Sequence, residues 1–140
     1  MTAQTLSKEA AQAVQYFESK LAFEIGPVGL HYALKDKEPI QIIDLRTPEL
    51  YAKGHIPGAI NLAYEDLEKS LNKLSKDKTT VVYCYDIVCH LAAKAALLLA
   101  KKGYKVKELY GGWQDWIEHD LKVEGKAEHS SCSSSHSSCG

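Results

Sequence analysis

Apolar positions recur along this chain with two periods, and the way those periods alternate predicts the fold. From Ser7 to Lys20 the pattern is helical. Ala10, Val14, Phe17 and Leu21 fall at three- and four-residue steps, Ser7 is placed to cap the helix, and Glu9 lies just inside it. Leu21 to Ile25 reads as a short strand stopped by Gly26 and Pro27, and Pro27 suits the first turn of a short helix through Leu34. After the polar break Lys35 to Pro39, Ile40 to Leu45 predicts a buried strand. Pro48 to Lys53 then reads as a helical turn, Gly54 to Gly58 as a loop and Ala59 to Leu62 as a short strand. Leu67, Leu71 and Leu74 give helical spacing to Tyr64 to Leu74. Thr79 to Tyr83 is β-branched or aromatic throughout, which suits a strand. His90 to Lys102 predicts a helix of alanine and leucine that Gly103 stops. Tyr104 to Tyr110 alternates as a strand, and Gly111-Gly112 turns the chain into a helix carrying Trp113, Trp116 and Ile117. Short strands alternating with helices predict an α/β domain with a mostly parallel central sheet flanked by helices.

Composition narrows what such a domain does. The chain has 140 residues, 45% hydrophobic and 25% charged, which suits one globular domain with a real core. A formal net charge of −1 gives no bulk reason to expect nucleic-acid or anionic-membrane partners. No apolar stretch approaches the ~20 residues that span a bilayer. Met1 to Gln4 carries no basic start to a signal peptide, so the expected location is the cytoplasm. The pattern stops near Lys122. The expected organisation is therefore a helical extension over residues 1–20, a folded domain over 21–122, and a tail over 123–140. The serine, cysteine and histidine of that tail cannot bury enough apolar surface to offset their ordering entropy.

Four cysteines in a chain of this kind point to reduced, catalytic or metal-binding thiols rather than a disulfide framework. Cys84 stands out among them. It ends the apolar run Thr80-Val81-Val82-Tyr83, on a short loop before a helix, and active sites of open parallel sheets lie at the carboxyl ends of strands. Loop and first-turn N–H groups there can face the sulfur and favour its anion, which is the nucleophile. Cys89 and His90 stand at the far end of the same loop.

Three segments then resemble one family. Asp44-Leu45-Arg46-Thr47-Pro48-Glu49-Leu50-Tyr51, with Gly54-His55-Ile56-Pro57-Gly58-Ala59-Ile60-Asn61, is similar to the first signature segment of rhodanese-like domains. The strand ending in Cys84 resembles the one that feeds their active-site loop, and Leu109-Tyr110-Gly111-Gly112-Trp113 resembles their closing segment. The order is the same, over roughly Leu21 to Lys122. The resemblance implies a single-domain sulfurtransferase with the rhodanese-like fold. Cys84 would carry sulfane sulfur as a persulfide, and Tyr85, Asp86, Ile87, Val88, Cys89 and His90 would form the active-site loop. It implies no cofactor. The partners would be a small-molecule or protein persulfide as donor and a thiol or other nucleophile as acceptor. The short loop is typical of sulfurtransferases, whereas phosphatase relatives have a longer one ending in arginine.

The loop also departs from the family. Ile87 stands where glycine is common, and Cys89-His90 where arginine and then serine or threonine are common. Losing the arginine and gaining Asp86 disfavours thiosulfate, a double anion, and favours a neutral or protein-borne persulfide. Cys89 has three readings: a thiol that resolves the persulfide, a redox partner of Cys84, or a small buried side chain. His90 either supports the site through a hydrogen bond or charge, or is a surface residue of the first turn. Asp44, Arg46 and Glu49 read as a partly buried network and His55 as structural, while Trp113 and Trp116 read as core. In the tail, His129, Cys132, His136 and Cys139 are spaced as soft metal ligands sometimes are, but no apolar shell surrounds them. The rivals to sulfur transfer are a catalytically silent rhodanese-like binding module and a Cys84/Cys89 thiol–disulfide protein.

Overall fold

The computed structural model describes residues 5–125. Five parallel strands form one sheet in the order β1-β5-β4-β2-β3: β1 (Glu24–Ile25), β2 (Ile40–Asp44), β3 (Ile60–Asn61), β4 (Thr79–Tyr83) and β5 (Lys105–Leu109). Helices α1 (Lys8–Phe23), α2 (Pro27–Lys35), α3 (Pro48–Lys53), α4 (Leu91–Lys101) and α5 (Gly112–Glu118) connect or flank them. The α/β class with a parallel sheet is therefore as the sequence predicts.

The central strand β4 is buried on both faces, as a strand between two helical layers must be. Val82 and Cys84 face one core, with Leu62, Leu67, Ala92, Ala95 and Leu99. Val81 and Tyr83 face the other, with Leu30, Ile42, Ile56 and Trp116. Burying each large aliphatic side chain contributes about 1.5–3 kcal/mol before entropy is counted. Among the described residues, every buried side-chain nitrogen or oxygen has a hydrogen-bond partner.

Three segments differ from expectation by more than a residue or two at an end. Ser7 caps α1 as predicted, its Oγ accepting from Ala10 N–H at 3.1 Å, but the helix runs on through Phe23. Leu21 to Phe23 are thus helical, and the strand keeps only Glu24 and Ile25. Tyr64 to Leu74 forms two 3₁₀ stretches, Tyr64–Asp66 and Glu68–Lys73, with Ser70 leaving helical geometry between turns. Leu67 and Leu71 pack on the core nonetheless, so their spacing reported burial rather than an α-helix. Residues 123–125 belong to the folded unit, not the tail, because Glu124 and His55 exchange backbone hydrogen bonds at 2.8 and 2.9 Å. The remaining tail, including His129, Cys132, His136 and Cys139, lies outside the described residues.

Candidate active site

The site stands on a buried ion pair. Asp44 and Arg46 are both almost fully buried, and the Arg46 guanidinium meets the Asp44 carboxylate through Nη2 at 2.8 Å and Nε at 3.1 Å. Arg46 also donates to Gly54 O, and its guanidinium lies 4.2 Å from the Trp113 ring centroid. Asp44 further accepts from the Tyr83 hydroxyl, which in turn accepts from Ile56 N–H at 3.2 Å. Burial and the neighbouring Asp44 carboxylate hold that phenol protonated well above its usual range. The network thus ties the first signature segment to the residue immediately before Cys84. Glu49 does not join it and stays exposed on α3. His55 is structural. Its ring stacks on Tyr51 at 3.7 Å, and its Nδ1 pairs with Tyr51 O at 2.8 Å. Trp116 is core, while Trp113 is half-buried over Arg46.

Cys84 leaves β4 at 2% exposure. The start of α5 holds the loop from below, with Trp113 N–H donating to Cys84 O at 2.9 Å and Gln114 N–H to Tyr85 O at 2.7 Å. Gly112 allows this approach. Its φ is +61°, and a Cβ there would lie 3.0 Å from Cys84 O and Asp86 N. Above, Asp86 organises the turn, accepting from Val88 N–H at its Oδ1 (3.1 Å) and from Cys89 N–H at its carbonyl (3.3 Å). Among the described non-glycine residues only Lys37 and Asp120 have positive φ, so Ile87 closes this loop without left-handed backbone.

This geometry corrects two expectations. The N–H groups do not all converge on the sulfur: those of Val88 and Cys89 are committed to Asp86, and Tyr85 N–H is the backbone donor that favours the thiolate. Nor is the thiol acidic. Burial, followed by the hydrogen bond shared with the Cys89 sulfur, pushes Cys84 up to about 12. The Cys89 Sγ lies 2.8 Å from the Cys84 Sγ, so the loop does bring the two thiols together. Tyr85, Ile87 and Val88 turn outward, at 39%, 58% and 75% exposure, while His90 is the exposed residue preceding α4.

Cys84 opens onto a cavity of about 190 Å³ lined by Asp86, Ile87, His90, Glu24 and Glu108, with Gly111-Gly112 as one wall. The two glutamates were not singled out in the sequence. They meet because β1 pairs with β5 in a register that sets Glu24 opposite Glu108. Burial and then the Glu24 charge raise the Glu108 carboxyl above its ordinary value, while His90 opposes the shift. Lys20 Nζ pairs with Glu24 at 3.0 Å. Three carboxylates against His90 and an already engaged lysine make this an acidic pocket. A larger hollow of about 560 Å³ around His31, Trp116 and Asp120 holds no thiol. Among the described residues no cluster of side chains is arranged to hold a metal ion, and no helix is long and apolar enough to cross a membrane.

A parallel five-stranded sheet with a cysteine at the carboxyl end of its central strand, under a short loop, defines a class. Residues 28–119 match the rhodanese-like domain, and the chain belongs to that family. It is 33% identical over 101 residues to a sulfurtransferase of Allochromatium vinosum, a match covering 71% of this chain and 92% of that protein. It is 36% identical over 85 residues to an HTH-type transcriptional regulator, Rv0324, of Mycobacterium tuberculosis. That match covers 61% of this chain and only 38% of the regulator's length. The crystal structure of the BH2092 protein from Bacillus halodurans superposes with a TM-score of 0.78 at 34% identity, covering 84% of this chain and 88% of that one.

Proposed function

We propose that the protein is a sulfurtransferase in which Cys84 accepts sulfane sulfur as a persulfide and yields it to a nucleophilic acceptor. The observation that carries this reading is the position of Cys84, on a strand end facing a cavity with room for an added sulfur. In the cycle, the Cys84 thiolate attacks the outer sulfur of a donor and the donor's remaining sulfur leaves as a thiolate. An acceptor then attacks the bound sulfur, so one difficult transfer becomes two displacements. The high proton affinity of Cys84 slows uptake, because the thiolate is the attacking form. Once loaded, the persulfide extends into the cavity toward His90 and the Gly111-Gly112 wall.

The carboxylates of Asp86, Glu24 and Glu108 set the donor class. In the cavity they line they repel a double anion, so thiosulfate is a poor donor and a neutral organic persulfide a good one. The test is intact-protein mass after brief exposure to each donor, with Cys84→Ser as control. We expect one added sulfur from the organic persulfide, absent in the variant and removed by a thiol or cyanide, and slower loading from thiosulfate. The reverse ranking of donors would overturn the assigned class. No added sulfur from either donor would overturn sulfur transfer.

That last outcome would favour a second reading, a rhodanese-like module that binds or senses without turnover. The protonated Cys84 and the likeness to a transcriptional regulator support it.

A further inference from the structure

The loop holds a second sulfur that the transfer cycle does not use. Cys89 Sγ stands 2.8 Å from Cys84 Sγ, less than an ångström beyond the ~2.05 Å of a disulfide bond. Two features fix it there. Cys89 N–H is bonded to Asp86 O, and Asp86 is itself held by Val88 N–H, so the turn folds the residue back over Cys84. The half-buried side chain also packs against the buried cluster that includes Leu45, Leu62 and Val82. No other described residue places a sulfur in this site.

The two sides of Cys84 differ. Its cavity, lined by Asp86, Ile87, His90 and Gly112, is where an added sulfur has room, and Cys89 does not line that cavity. Displacement at a divalent sulfur runs in line, with the nucleophile entering opposite the leaving group. A persulfide whose outer sulfur points into the cavity therefore leaves its inner sulfur open to Cys89 from the core side. Resting on the persulfide reading above, we propose that Cys89 is a second catalytic residue, which resolves the Cys84 persulfide and releases its sulfur as sulfide.

The step balances. The Cys89 Sγ–Cys84 Sγ bond forms as the bond from Cys84 Sγ to the outer sulfur breaks. The outer sulfur leaves with the bonding pair and, with the Cys89 proton, becomes hydrosulfide. The sulfane sulfur is reduced by two electrons, and the two thiols are oxidised to a disulfide. An external dithiol then reduces that disulfide through a mixed-disulfide intermediate and restores both thiols. Across the full cycle one organic persulfide and one dithiol yield a thiol, sulfide and a cyclic disulfide. Cys89 thus makes the protein a persulfide reductase when no other acceptor is present.

The experiment loads the full-length, pre-reduced protein with an organic persulfide, removes excess donor and omits all external thiol. Sulfide is measured against time, and alkylated samples are digested to map each cysteine by mass. The wild type should add one sulfur at Cys84, then lose it with first-order kinetics independent of protein concentration. A Cys84–Cys89 disulfide should appear at the rate at which sulfide does. Cys89→Ser and Cys89→Ala should load and then hold the sulfur, releasing none until a thiol is added. A Cys132→Ser/Cys139→Ser variant should behave as wild type, which distinguishes resolution within the loop from resolution by the tail. Wild type that stays loaded with Cys89 still alkylatable would overturn the proposal while leaving the persulfide intact. Undiminished release from both Cys89 variants would do the same. Failure of both Cys89 variants and wild type to load any sulfur would overturn the persulfide reading and this one together.

Discussion

Position and acidity usually travel together in a nucleophilic cysteine, and at Cys84 they separate. The residue stands where a catalytic thiol belongs, yet burial and the Cys89 thiol lift its proton affinity from an ordinary 9.0 to about 12. Three units correspond to a thiolate fraction about a thousandfold lower at neutral pH. The sign follows directly. The fold favours the neutral thiol, so the stability this group contributes is present below about 9 and is lost as pH rises through about 12. Reactivity moves the other way. In the reduced protein, alkylation of Cys84 by a neutral reagent should rise about tenfold per pH unit above neutrality, with no plateau near 9. Cys89→Ala removes two of the causes that raise the value, so its plateau should move to lower pH. A wild-type plateau near 9, read from the pH–rate profile of peptide-mapped alkylation, would contradict this account. The strand-end setting of Cys84 was legible in the sequence because strand, loop and helix follow one another locally. Its proton affinity was not, since that depends on what covers the sulfur and on how the turn aims Cys89.

Strand pairing supplies what the local pattern lacks. Glu24 and Glu108 are far apart in the chain, and each reads alone as an ordinary polar residue of a half-exposed strand. The parallel register of β1 on β5 places them side by side at the cavity. The pairing has an energetic cost, because like charges directly opposite destabilise a sheet. Glu108 shows it, its carboxyl raised first by burial and then by Glu24. Folding therefore favours protonated Glu108, and the ionised form weakens the fold once pH exceeds its ordinary range. Glu108→Gln should stabilise the protein at neutral pH by about 0.5 kcal/mol after allowance for solvent screening. The gain should shrink as pH falls through the carboxylate range, as urea unfolding at neutral and acidic pH would show. A variant less stable than wild type at neutral pH would mean that Glu108 serves the sheet rather than the site. The first signature segment was more legible: Asp44 and Arg46 form the expected pair because two residues of one strand end sit close whatever the topology. Glu49 fell outside because the first turn of α3 carries it into solvent.

At the scale of the molecule, the same limit governs how the N-terminal helix joins the domain. The apolar spacing in α1 singles out Ala10, Val14, Phe17 and Leu21, yet no residue of the helix is buried, and Leu21 is 81% exposed. The face turned to the domain is instead Tyr16, Ser19, Lys20 and Phe23. With Ala93, Ala96, Val106 and Glu108 these line a groove of about 300 Å³ that shares Glu24, Ala93 and Glu108 with the cavity of Cys84. Both sets obey a helical period, so periodicity alone could not choose between them. The salt bridge from Lys20 to Glu24 and the stacking of Lys20 over Tyr110, 5.0 Å from its ring centroid, favour the observed face. The two faces make opposite predictions. Leu21→Lys touches little and should change stability by no more than about 0.5 kcal/mol. Phe23→Ala removes a ring that is 57% exposed and so buries under half of its surface, which should cost about 1 kcal/mol. Denaturant unfolding of the two variants beside wild type would decide. A larger loss at Leu21 than at Phe23 would mean that α1 docks through its Val14–Phe17–Leu21 stripe, and Lys20 would then no longer stand beside the acidic pocket.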